Sequence, residues 1–418
     1  MVLPCFLYTN ETLFPGLAAI PPCLGAGLFI MGSTHFESVS LPLTAKIFTW
    51  RPLVFIGLIS YSLYLWHWPI LAFYKYWALD EITLVHQWLI VLLSIILAVA
   101  SWRYIETPFR KKSLIASQNR LFKYTVAISL ILFVFGFSMI YKEGFKERFQ
   151  DDVLAYDRAK LEALQENRIS LPINLHDAVD GKIPIFGENK TGKIDVLVWG
   201  DSHARSIVPG VIKAAKATKG TISTAWHSST APIVDYIPAE KFANFSLKEE
   251  SPAWAKAIIS YVKEKQIKHV ILAARWSGYY SATHESKSGD YNINELLIKT
   301  INELKRAGAL VWIIKEVPSH SISVPKALIK EAIWGNDISG FQGTRGILNN
   351  NNKEFDQVEN KLIKAGARII DLSDLLYDQT TRKFMMSYGG EALYYDNHHL
   401  TFFGASYLSE AFKPIFQK

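Results

Sequence analysis

The sequence predicts a bundle of about four membrane-spanning helices followed by an α/β domain with a doubly wound, mainly parallel sheet between two helical layers. Three observations predict it. Charge is sparse early and dense late: residues 1–141 hold nine Lys and Arg and five Asp and Glu, against 36 and 33 in the rest of the 418 residues. The early part contains four apolar stretches near the ~20 residues that span a bilayer core. Beyond residue 193, β-rich apolar runs alternate with amphipathic helical patterns, the signature of a parallel sheet wound by helices. A mean hydropathy of +0.11 with 50% hydrophobic residues fits such a mixture.

The apolar stretches are roughly residues 17–32, 52–76, 86–102 and 124–141. The third, around Trp88 to Ala100, and the fourth, Thr125 to Ile140, have no polar face, and Lys123 and Lys142 flank the fourth. The first is short and broken by Pro21-Pro22, so a re-entrant or interfacial segment is the alternative there. His67, within Trp66-His67-Trp68-Pro69, reads as an interfacial anchor, and Glu106 before Pro108 as ordering the cytoplasmic end of a helix.

The loops set the orientation. Arg103 to Lys123 carries Arg103, Arg110, Lys111, Lys112, Arg120 and Lys123, whereas Leu79 to His86 carries Asp80 and Glu81 and no Lys or Arg. The basic loop is therefore expected in the cytoplasm, and everything after Tyr141 on the other side. No basic segment precedes an apolar core at the N-terminus, so export is expected to depend on internal spans. Both cysteines, Cys5 and Cys23, lie in the apolar part, which excludes disulfides and Cys-ligated zinc from the polar part. The net charge of +7 divides into +4 and +3 between the parts, and neither carries the concentrated basic surface that nucleic acid requires.

The predicted organisation is a membrane part at 1–141, a helical and extended linker at 142–193 and a catalytic domain at 194–418. Within the linker, Asp151 to Asn167 reads as a helix and Leu171 to Lys193 as a Pro- and Gly-bearing connection. Strands are predicted at Ile194–Trp199, Thr221–Trp226, His269–Ala274, Leu310–Lys315 and Arg368–Leu372. Helices are predicted at Ala204–Thr218, Ala253–Gln266, Ile293–Ala307, Phe355–Ala365 and Phe402–Phe416. Residues 319–352 fit neither period and read as an insertion or mobile loop over the site.

In such sheets ligands bind outside the carboxyl ends of the strands. The first predicted strand runs into Gly200-Asp201-Ser202-His203 and then a helix, which puts the Ser202 hydroxyl at that edge, over helix N–H groups that stabilise an oxyanion. An Asp-Ser pair at such a turn also serves as a plain helix cap, so a partner is needed. Asp396-Asn397-His398-His399, before the last helix, supplies one: a base to take the serine proton and an acid to fix its tautomer. Metal binding by Asp396, His398 and His399 is the rival chemistry, and no further His or carboxylate cluster in the sequence closes its first shell. Oxyanion donors are expected from the Ser202 N–H and from the loops after the second and third strands, at Ser229 and Arg275.

Gly200-Asp201-Ser202-His203 together with Asp396-x-x-His399 resembles the SGNH hydrolase superfamily, whose fold is flavodoxin-like. Phe55-Ile-Gly-Leu-Ile-Ser-Tyr-Ser-Leu-Tyr-Leu-Trp-His-Trp-Pro-Ile70 and Tyr104-Ile-Glu-Thr-Pro-Phe-Arg110 resemble the late part of the acyltransferase-3 membrane family, and Phe14 to Pro21 a segment just before it. Together these resemblances imply a polysaccharide O-acetyltransferase of a bacterial envelope, multi-pass in the inner membrane, with its SGNH-like domain extracytoplasmic. They imply no tightly bound cofactor, acetyl-CoA as donor, and the bilayer and an envelope glycan such as O-antigen or peptidoglycan as partners. The acyl-loading half of that membrane family lies before the matched segments. The chain is thus expected to be a fragment or to work with another chain that supplies this half. The alternatives are a membrane-anchored esterase that gives the acetyl group to water, and a non-catalytic remnant. Trp226, Trp276, Tyr279 and Tyr280 are expected beside the site, where aromatic rings stack on sugars or pack the core.

Overall fold

A computed structural model describes residues 7–9, 12, 16–34, 48–79, 82–111, 117–165, 171–187, 193–239, 242, 244–281 and 292–417. It divides into two compact units, residues 1–137 and 138–418.

The first unit contains α1 (Ile20–Thr34), α2 (Arg51–Trp77), α3 (Leu84–Arg110) and all but the last turn of α4 (Gln118–Tyr141). Three of these, α2, α3 and α4, are long and apolar enough to cross a bilayer. The expected fourth span is not among them, because the 15 residues of α1 extend only about 22 Å, short of a ~30 Å hydrocarbon core. α2 and α3 pack against each other. Ile59 and Ser62 of α2 and Ser94 and Ala98 of α3 are buried, and three of these four are small residues of the kind that let membrane helices approach closely. The Ser62 hydroxyl donates to Glu106 Oε2 at 3.0 Å, which ties Glu106 to the neighbouring helix, and Arg110 pairs with it one turn on. Trp102–Glu106 is a π-helical stretch of α3. His67 is exposed and donates Nδ1–H to the Tyr64 carbonyl of its own helix.

The second unit runs through α5 (Asp151–Gln165), α6 (Leu175–Val179), β1 (Ile185–Gly187), β2 (Val196–Gly200), α7 (Ser202–Ala217), β3 (Thr221–Trp226), α8 (Ser251–Glu264) and β4 (His269–Ala273). It continues with α9 (Trp276–Ser281), α10 (Ile293–Arg306), β5 (Leu310–Ile314), α11 (Val324–Trp334), α12 (Arg345–Asn351), α13 (Lys353–Ala365), β6 (Ala367–Ile370) and α14 (Phe402–Tyr407). The six-stranded sheet has the order β1-β3-β2-β4-β5-β6. β3, β2, β4, β5 and β6 pair in parallel, and β1 adds an antiparallel edge to β3. Among the parallel strands, the second in sequence lies outside the first, and the third begins the other half. Chain order therefore reverses direction between β2 and β4, and a crevice opens there.

Alternation buries both faces of the sheet. Leu197 and Trp199 of β2 join a core with Trp254 and Ile258 of α8 and Leu297 and Ile301 of α10. Val196 and Val198 turn to the opposite face and are equally buried. α7 packs on β2 and β3, and α13 on β6.

Two stretches depart from the sequence-based expectation. The segment read as a linker contributes α6 and the edge strand β1, and the Ile173 N–H donates to the Trp226 carbonyl. Residues 319–352 are not a mobile loop. They form α11 and α12, with Val324, Ala327 and Leu328 buried, and α11 packs on α5. Polar residues dilute the apolar spacing of both helices, and their inward faces become apparent only once α11 lies on α5 and α12 on α13.

Candidate active site

The carboxyl ends of three adjacent strands lie in register, with Gly200 opposite Trp226 on one side and Ala273 on the other. Their loops, 201–203, 227–230 and 274–279, therefore lie side by side at the crevice. Gly200 is required there, since a Cβ would stand 1.8 Å from the Ala273 carbonyl oxygen. Asp201 caps α7 by accepting the His203 N–H, which leaves Ser202 as the first helical residue.

The Ser202 hydroxyl and His399 Nε2 are 2.8 Å apart, and His399 Nδ1 and Asp396 Oδ2 are 2.6 Å apart. Asp396 Oδ1 accepts the N–H groups of His398 and His399, so the carboxylate is saturated by its own loop. Burial pushes the Asp396 carboxyl up, but the hydrogen bond and charge of His399, with His398, outweigh burial and hold it well below the usual carboxylate range. With both oxygens occupied, Asp396 is not placed to ligate a metal.

The loop carrying His399 is braced from several sides. Leu400 is buried, and Thr401 caps α14 by accepting the Gly404 N–H while its hydroxyl donates to the Ala392 carbonyl. From the insertion, His320 N–H donates to the Asn397 carbonyl and Val324 N–H to the Asp396 carbonyl. The Tyr395 ring lies parallel to the His399 ring, with centroids 5.2 Å apart. Arg205 of α7 donates to the Tyr395 hydroxyl and stacks over Trp226.

Two buried carboxyls organise the loop after β4, a role the sequence assigned to neither. Asp201 Oδ2 accepts the Arg275 N–H and the Tyr279 hydroxyl, while Glu316, just past β5, accepts the Ser277 N–H and hydroxyl. Burial raises both of their pKa values, against the lowering pull of these donors. A carboxylate just past a buried strand, at the ligand-binding edge, was the signal for Glu316.

Of the expected oxyanion donors, Arg275 has its main-chain N–H engaged by Asp201, which leaves its guanidinium as the group it could offer. Ser229 sits in the loop after β3 with φ of 49°, a left-handed conformation uncommon for a non-glycine residue. Ser202 is half-buried at the start of its helix, where main-chain N–H groups have no intrahelical acceptor. For the aromatic candidates, the structure decides between stacking on a sugar and packing the core, and for Trp226 it bears out the core packing that the sequence favours. Trp226, Trp276 and Tyr279 are buried, with Trp276 Nε1–H donating to the Ile314 carbonyl, so they pack the core and do not face a sugar. Tyr280 is half-buried and donates its hydroxyl to Asn294. His203, to which the sequence pattern assigns no role, is buried against His398 and His399.

A model of the SGNH domain found fused to AT3 domains matches residues 174–414, more than half of the chain. The chain belongs to this SGNH family. A protein of Staphylococcus aureus (strain MRSA252) provisionally named an O-acetyltransferase is 31% identical over 189 residues, which are 42% of this chain and 30% of that protein. The O-acetyltransferase OatA of the same strain is 38% identical over 114 residues, 26% of this chain and 18% of its own length. The SGNH chain described here thus spans under a third of the length of these curated relatives. Among solved structures, the periplasmic domain of a lipopolysaccharide acetyltransferase from Salmonella ser. Paratyphi A aligns with 63% of this chain and 95% of its own, at 20% identity and a TM-score of 0.45.

Proposed function

We propose that this protein is an O-acetyltransferase that acylates hydroxyls of a bacterial envelope polysaccharide through an acetyl-enzyme on Ser202. The observation that carries the reading is the unbroken chain from Ser202 Oγ through His399 to Asp396, at 2.8 and 2.6 Å. The names of its staphylococcal relatives support acetyl as the group transferred.

The chemistry is set by those distances. As Ser202 Oγ attacks the acetyl carbonyl of the donor, His399 Nε2 takes the hydroxyl proton, and Asp396 holds the imidazole tautomer and stabilises the imidazolium. The N–H groups of Ser202 and Ser229 receive the oxyanion. The tetrahedral intermediate collapses, the donor's leaving group departs with the proton from His399, and acetyl-Ser202 remains. A sugar hydroxyl then attacks that ester and gives its proton to His399. Collapse releases the acetylated sugar and returns the proton to Ser202. Acetyl-CoA is the proposed cytoplasmic source of the group, brought across the bilayer by acyl-loading spans in the same or a partner chain.

The placement rests on charge. Residues 103–123 hold six Lys and Arg, so the loop before α4 is proposed to face the cytoplasm and α4 to deliver the chain beyond Tyr141 to the extracytoplasmic side of the inner membrane.

The test uses the full chain in detergent, incubated with an activated acetyl ester and monitored by intact mass and peptide mapping. One added acetyl group on Ser202, absent from Ser202→Ala and His399→Ala, is the expected result, with the adduct cleared faster by added glycan than by water. Clearance by water alone would make the protein an esterase. Turnover that survives Ser202→Ala would overturn the mechanism.

A further inference from the structure

Three imidazoles converge where the proposed chemistry uses one. Ring centroids are 5.1 Å apart for His203 and His398, 4.7 Å for His203 and His399 and 4.1 Å for His398 and His399. One ring nitrogen from each lies within 4.8 Å of the other two. Acid–base catalysis by His399 accounts for neither companion. His203 is 4% exposed and its Nε2 is buried without a protein hydrogen-bond partner, as is Nδ1 of His398. Among the described buried polar atoms without a protein partner, these two ring nitrogens lie together against one catalytic loop, where a water or an ion would satisfy them.

We propose that His203, His398 and His399 form a binding site for Zn2+, and that its occupation blocks the acetyl transfer proposed above. The inhibitory half of the proposal rests on that reading, whereas the binding half does not.

The donor set selects the ion. Three imidazole nitrogens suit Zn2+, Co2+ or Cu2+ and are poor ligands for Mg2+ or Ca2+, which require oxygen. Asp396 already fixes His399 through Nδ1, the same support that a carboxylate gives a metal-bound imidazole, and so leaves Nε2 to face the ion. The Arg275 guanidinium opposes a cation here, and the Asp396 carboxylate offsets it. Ligation at about 2.1 Å needs nitrogens about 3.3 Å apart, so the rings must close by small rotations.

The consequence for catalysis is direct. A lone pair on His399 Nε2 that is bonded to Zn2+ cannot accept the proton of Ser202. Because the same nitrogen serves both, metal and proton compete, and the ion acts as a reversible inhibitor.

The test uses the metal-free full chain in detergent with Co2+ as the probe. Expected are the visible absorption bands of nitrogen-ligated Co2+ at one ion per chain, their displacement by Zn2+, and a fall in acetyl-ester turnover over the same Zn2+ range that a chelator reverses and Mg2+ does not produce. His398→Gln, scored by Co2+ uptake and by Zn2+ inhibition relative to its own metal-free turnover, should lose the bands and raise the Zn2+ needed for half inhibition about tenfold or more. Asp396→Asn, scored by Co2+ affinity alone, should weaken binding about 10- to 100-fold. No Co2+ uptake, or bands and Zn2+ sensitivity unchanged in His398→Gln, would overturn the site. Co2+ bound as expected by a chain with no turnover at all would leave the site standing and remove the inhibitory role together with the acetyl-transfer reading.

Discussion

Gly210 on α7 faces the carbonyl of Ala405 on α14 so closely that a Cβ at residue 210 would stand 2.2 Å from that oxygen. One of these helices begins with Ser202 and the other comes just after His399, so this backbone approach sets the spacing of two residues 197 apart in sequence. Gly210→Ala should force the helices apart. We expect it to cost about 1–3 kcal/mol of stability, the usual range for overpacking, with ester turnover falling further than the unfolded fraction explains. Denaturant midpoints and turnover measured together would show this, and a variant of unchanged midpoint and turnover would refute it.

Asp396 has both oxygens engaged, one by the His399 ring and one by two main-chain N–H groups. Asp396→Asn preserves shape but removes the charge that stabilises an imidazolium and presents a donor where an acceptor is needed. Turnover should drop about 10^3- to 10^4-fold with little change in apparent substrate affinity. A loss confined to KM would reassign Asp396 to binding.

Arg205 reaches His399 through the Tyr395 ring that it anchors. It acts as a positioning residue. Arg205→Ala should lower kcat about 10- to 100-fold while leaving KM nearly unchanged, because the His399 ring loses its supporting plane. Arg205→Lys, which keeps a cation without the fork that binds the hydroxyl over Trp226, should recover only part of that loss. Equal effects on kcat and KM would argue for a direct contact with substrate instead.

His320 braces the catalytic loop from the insertion. Its ring is buried edge-on against Tyr394, Nδ1 accepts the Gly343 N–H, and burial lowers its pKa to about 4. An unfolded histidine titrates near 6.5, so the folded pKa is depressed and neutral His320 supports the fold fully above about 6.5. That contribution is lost as pH falls from about 6.5 toward 4. The midpoint of unfolding should therefore decline through this window, and His320→Asn, which has no titrating ring, should decline less steeply. Parallel slopes would remove His320 as a cause.

The parts legible in the sequence were those written in local pattern. The parallel strands showed as β-rich apolar runs and their flanking helices as a period of 3.6, and Ser202, Asp396 and His399 showed as short blocks next to them. The helices of residues 319–352 did not, because Lys330 is buried among their inward positions and glycines interrupt the run. Trp276 and Tyr279 were ambiguous for a related reason. An aromatic beside a loop looks the same in sequence whether it faces a ligand or, as here, donates to a buried carbonyl and a buried carboxylate.

By itself the sequence determined which segments are apolar enough to span a bilayer, that a sheet with helices on both faces comes after them, and that a serine and an Asp-x-x-His block stand at its ligand-binding edge. Each of these is a property of neighbours along the chain, where side-chain alternation and turn chemistry act. Only the tertiary structure decided that those blocks meet, that Arg275 gives its main-chain donor to Asp201, that Glu316 holds the adjoining loop, and that His203 closes a triangle with His398 and His399. These depend on strand order, register and the approach of helices distant in sequence, which are set by burying the whole core at once rather than by any local run of residues.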